Sequence, residues 1–132
     1  MPHPLPPYAL AVPEFPFPHL AALAGRAPIG GAREVALACF VAARLAADRR
    51  HDDNGITAPA RADRSVGAKT WLGTLTIPPA VRAPLARCVE ATAAAGPSAV
   101  ARELTALSAA AAQYLDPASR AELETLAREL QP

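Results

Sequence analysis

An all-α fold, an irregular bundle of four or five helices with an extended Pro-rich N-terminal arm, is predicted by three features of this 132-residue chain. Apolar residues recur at helical spacing through most of the chain after residue 31. The apolar fraction of 52% is built mainly from alanine, about a quarter of all residues, with aromatics at only 5%, a composition that suits close helix approach. Seven of the fifteen prolines stand within the first 18 residues, where neither a long helix nor an interior strand can form.

The arm and its approach to the body occupy residues 1–24, and a helical domain follows over 25–132. Each proline fixes its own φ and disfavours the α region for the residue before it, so residues 1–18 read as polyproline II or irregular extended chain. His19 to Ala24 add a short helical turn, and "GRAPIGG" is a breaker segment. The first long helix runs from Ala32 to about Arg50, with Leu37, Phe40, Val41 and Leu45 on one side and Val35 and Cys39 alongside. Its broad apolar face places it centrally, and Arg49 and Arg50 suit the negative end of its dipole.

His51 to Asp63 is polar, contains Asn54-Gly55 and Pro59, and reads as a loop. Ser65 to Pro78 is ambiguous. Thr70, Trp71, Thr74, Thr76 and Ile77 have strand propensity, whereas Ala68, Trp71, Leu72 and Leu75 fit a helix capped by Ser65. A lone strand cannot satisfy its backbone, and no partner strand is evident, so a helix is expected. Pro79 opens the next helix, whose stripe is Val81, Leu85, Cys88 and Val89; Pro84 should bend it or mark a start one turn later. After Gly96, Pro97 begins a helix carrying Val100, Leu104, Leu107 and Ala111 towards Tyr114 and Leu115. Asp116-Pro117 is an N-cap signature for a final helix with Leu123, Leu126 and Leu130, on which Glu124 and Arg128 stand four apart.

Net charge is +1, so no global field recruits nucleic acid or a membrane surface. Charge is nevertheless uneven. Residues 26–87 hold ten basic and five acidic side chains, and residues 88–132 hold three and six. Such halves neutralise each other within one body or across a subunit interface. No signal peptide is evident, and the most apolar run after the arm, Val35 to Ala43, is far short of the ~20 residues that span a bilayer. A soluble, cytoplasmic protein is expected.

Chemical motifs are weak. "GRAPIGGAR" has the first spacing of a phosphate-binding loop but lacks its Lys and Ser or Thr, and in "SVGAKT" Ala68 separates Gly67 from Lys69. Asp48, His51 and Asp52, with Asp53, have the side chains of a metal site, but neighbouring arginines are expected to hold them in ion pairs. Cys39 and Cys88 read as buried small apolar residues, with a disulfide left open. No nucleophile motif surrounds any Ser or Cys. No cofactor, metal or catalytic residue is assigned, and an enzyme with an unrecognised site is the third choice.

The arm carries the first. Tails that stay solvated are rich in charge and poor in aromatics. Here Glu14 is the only charged side chain, and Tyr8, Leu10, Val12, Phe15, Phe17 and Leu20 supply apolar anchors. The expectation is a non-enzymatic interaction or structural subunit whose arm docks on a partner protein or on a second copy. The alternative is a nucleic-acid-associated regulator using Arg26, Arg33, Arg44, Arg49, Arg50, Arg61, Arg64 and Lys69 against phosphate.

Overall fold

The computed structural model describes residues 17–26, 31–49, 58–94 and 96–131. Residues 1–16 of the expected arm, the breaker segment 27–30 and the loop residues 50–57 lie outside these. Six helices pack together: α1 (Pro18–Arg26), α2 (Gly31–Ala47), α3 (Ala58–Leu72), α4 (Pro79–Ala94), α5 (Pro97–Ala110) and α6 (Pro117–Leu130). No strand occurs among the described residues.

The count exceeds the expected four or five because of α1. The anticipated single turn is a helix of nine residues, started by Pro18, whose fixed φ and missing N–H suit a first helical position. It buries Leu20 and Ala24. The break expected at Gly25 falls inside this helix.

The most deeply buried helix is α2, which touches each of the other five. Six alanines of its run, Ala36, Ala38, Ala42, Ala43, Ala46 and Ala47, are buried together with Val35, Cys39, Phe40, Val41 and Leu45. Small side chains around the whole circumference let neighbours approach on every side. The helix stops at Ala47 rather than near Arg50, and Arg49 does not serve its solvated end. That side chain is buried, and Nη1 donates to the Thr92 carbonyl of α4 at 2.9 Å.

The helix expected at 65–78 is present but displaced. It begins at Ala58, taking in the second half of the presumed loop, and ends at Leu72. Ser65 is therefore no cap. It is buried mid-helix, and its hydroxyl donates to the Val89 carbonyl across to α4 at 3.2 Å, which satisfies a polar group that would otherwise be costly there. Gly73 closes the helix with its N–H on the Lys69 carbonyl at 3.1 Å. Leu75 and Ile77 then reach the core from non-helical chain.

Pro84 lies inside α4, and the helix starts at Pro79, not one turn later. The Pro78 carbonyl accepts the N–H groups of Val81 and Arg82, so the first turn is complete before Pro84 is reached. Pro84 is buried in the interface, which compensates for the ladder bond it cannot donate. Gly96 and Pro97 open α5, which ends at Ala110; Ala111 and Leu115 are buried from the link that follows. Asp116 caps α6 as expected, accepting the Ser119 N–H at 2.9 Å. Glu124 faces Arg120 at 3.8 Å, while Arg128 donates to Thr125 at 3.0 Å.

Candidate interaction surface at the start of the first helix

Two of the six expected partner-binding residues are described, and both are spent within the chain. Phe17 is 5% exposed and sets its ring edge-on to Phe40 of α2, centroids 6.3 Å apart and planes at 88°. Leu20 is fully buried. Tyr8, Leu10, Val12 and Phe15 lie outside the described residues.

The start of α1 is held by a side chain that nothing local in the sequence marks. Glu122, in the middle of α6, accepts the backbone N–H of His19 at 2.9 Å and of Leu20 at 2.8 Å. A carboxylate there satisfies two donors that a helix N-terminus leaves free, and its charge complements the helix dipole. Capping residues normally stand one turn away in sequence; this one stands about a hundred residues away. Only the tertiary fold brings the two together. Glu122→Ala is expected to cost about 1–2 kcal/mol of stability, and Glu122→Gln, which keeps an acceptor, distinctly less, both read from urea unfolding midpoints.

Beside this contact lies an open groove of about 360 Å³. Phe17 and His19 form one wall; Ala118, Ala121, Thr125 and Glu129 of α6 form the other. Small side chains at this spacing on α6 leave room above the helix surface. The described chain therefore begins at the lip of a depression. A second notch of about 280 Å³ lies between α3 and α4, over Leu72, Gly73, Leu85 and Ala86, and its polar rim includes the Lys69–Glu90 ion pair at 3.1 Å.

The remaining expected features are distributed differently. Asp48 is bound by Arg44 at 2.7 Å and by Arg64 at 2.8 Å, joining α2 to α3. Ion pairing is thus a role of Asp48, with Arg44 and Arg64 among its partners. His51, Asp52 and Asp53 lie outside the described residues, and among those described no group of His, Cys, Asp and Glu could hold a metal ion. "SVGAKT" is interior to α3, so its amides are engaged in helix bonds and cannot cradle phosphate.

Of the basic residues considered for phosphate contact, Arg44, Arg64 and Lys69 are paired with carboxylates, and Arg49 is buried. Arg26 and Arg50 have no described side chain. Lys69–Glu90 and Arg87–Glu103, the latter at 3.3 Å, link the basic and acidic halves of the sequence within one body. Pairs this exposed contribute about 0–1 kcal/mol each.

Cys39 on α2 and Cys88 on α4 are buried free thiols. Burial pushes both up, Cys88 to about 12; the neighbouring Cys88 adds to the effect at Cys39, and Glu103 adds to it at Cys88. Thiols this far from their thiolate form are not nucleophiles near neutral pH. Glu34 is a further buried carboxylate, and it accepts the Thr76 N–H, fixing the α3–α4 link on α2. No helix among the described residues is long and apolar enough to cross a membrane. Comparison of the chain with protein-family models, curated proteins and solved structures finds no match.

Proposed function

We propose that this chain is a non-enzymatic interaction or structural subunit whose Pro-rich arm docks on a partner protein or on a second copy of itself. The observation that carries this reading is the root of the arm. Phe17 and Leu20 are built into the core and Glu122 clamps the backbone between them, so the preceding residues leave from a fixed point. Those 16 residues hold six prolines and the anchors Tyr8, Leu10, Val12 and Phe15. Chain already stiffened by proline loses less entropy on docking, which favours recognition in a groove.

Two buried, unpaired thiols suit a reducing compartment, in keeping with a cytoplasmic location. The nucleic-acid reading is weaker, because most of the described cations it would use already have partners within the chain.

The decisive truncation ends at Pro16. Removing residues 1–16 leaves Phe17 and α1 in place, so any effect belongs to the arm and not to a damaged core. Loss of oligomeric mass, or loss of a specific co-purifying protein from the native host, is expected. Unchanged mass together with an unchanged set of bound proteins overturns the reading.

A further inference from the structure

The notch between α3 and α4 has the make-up of a small-ligand site. We propose that it binds a monocarboxylate with a compact apolar body, one ring or a short branched chain, whose carboxylate is held by Arg82.

The floor of the notch is apolar. Leu72 and Leu85 are buried beneath it. Gly73 and Ala86, the smallest residues of the lining, leave open the space of about 280 Å³ that longer side chains would fill. That volume lies just under the roughly 300–1,000 Å³ of most ligand pockets, which limits the occupant to a single ring or its equivalent. Water over such a floor has few partners, and an apolar group gains by displacing it.

The charges decide which apolar molecule fits. Three charged side chains line the notch, Lys69, Arg82 and Glu90. Lys69 and Glu90 neutralise each other at 3.1 Å. Arg82 faces no carboxylate among the described residues and is left as one uncompensated positive charge. Its Nη2 donates to the Leu75 carbonyl at 2.9 Å, so a neutral group holds the guanidinium in place while its other nitrogens stay available. A planar fork fixed in this way matches the two oxygens of a carboxylate, and its single charge matches a monoanion. Glu90 stands eight residues further along α4, about 12 Å at 1.5 Å per residue, too far to repel a carboxylate at Arg82 strongly. Between those ends lie Leu85 and Ala86, on which the apolar body rests. None of these residues belongs to the arm or to its root, so the site stands or falls apart from the proposed function.

The test is titration of the isotope-labelled, full-length protein with phenylpropionate at millimolar concentration, read from backbone amide shifts. Expected are saturable shifts centred on Leu72, Gly73, Leu85 and Ala86. Phenylpropionamide, which has the same body without the charge, and acetate, which has the charge without the body, should produce none of comparable size. Arg82→Gln should weaken binding about tenfold, as loss of a charge-assisted hydrogen bond implies. Lys69→Gln should weaken it less than about threefold, since that charge is already spent on Glu90. Ala86→Leu fills the notch and leaves Arg82 in place; it should abolish the shifts, and it keeps the test decisive even if Arg82→Gln perturbs the α3–α4 link. Absence of saturable shifts at those amides, equal binding of the neutral amide, or unchanged affinity in Ala86→Leu each overturns the site. Equal losses in Arg82→Gln and Lys69→Gln remove Arg82 as the holder of the carboxylate and overturn the proposal with it.

Discussion

Replacing Leu20 with alanine is expected to destabilise the protein by about 2–5 kcal/mol, the range for emptying a fully buried leucine site. At roughly 4 °C per kcal/mol for a chain of this size, the thermal midpoint should fall by about 8–20 °C. That is a large share of the ~5–15 kcal/mol that holds a typical domain together. Phe17→Ala belongs to the same class, at about 3–5 kcal/mol, because its ring fills the space between α1 and Phe40. The contrast is with removal of residues 1–16, which leaves Phe17, Leu20 and α1 in the chain. Calorimetry of Leu20→Ala, Phe17→Ala and the chain lacking residues 1–16 separates the two parts of the leader. A shift below about 2 °C for Leu20→Ala would show that α1 is an appendage and not part of the core.

The second large effect is alkaline. Cys39 and Cys88 keep their protons in the folded state far above the ordinary thiol value of about 9, because burial opposes the thiolate. The unfolded chain loses those protons near pH 9. Stability from this source is therefore fully present below pH 9 and is lost as pH rises towards 12. Each thiol contributes a slope of about 1.4 kcal/mol per pH unit in that window. Between pH 8 and 10.5 the pair should account for roughly 4 kcal/mol of lost stability. Cys39→Ala with Cys88→Ala costs something at every pH, since both sites are fully packed, but it should remove this slope. Urea midpoints at pH 8, 9.5 and 10.5 for the two proteins decide the matter; parallel curves would mean that the thiols are not desolvated in the folded state. Thiol reagents at pH 8 should likewise react with native protein only as fast as it unfolds.

Much of the helical body was legible from residue type and spacing. The stripes on α2, α5 and α6 repeat at the helical period, and Asp116-Pro117 and Gly96-Pro97 announce their helices with local chemistry. The α3 region was harder for a physical reason. Its threonines, Trp71 and two glycines weaken any local preference, and the register is decided by contacts with α4 such as that of Ser65 with the Val89 carbonyl. A serine looks the same in sequence whether it caps a helix or bonds across an interface.

The groove and its clamp were illegible for a stronger reason. Glu122 reads as one more exposed acid on an amphipathic helix, and its role depends on a backbone about a hundred residues earlier. Phe17 and Leu20 are legible as apolar residues that need a surface, but whether that surface belongs to their own chain or to another is a question of tertiary position. The pairing of Asp48 with Arg64 of α3 has the same origin.

The clamp on α1 also bears on how the protein is made. A ribosome releases α1 about a hundred residues ahead of Glu122. Until then α1 has donors without an acceptor, and its wall of the groove has no opposite side. Completion of the body thus waits for the synthesis of α6, and a nascent chain stalled before α6 would expose Phe17 and Leu20 to whatever binds greasy polypeptide in the cell.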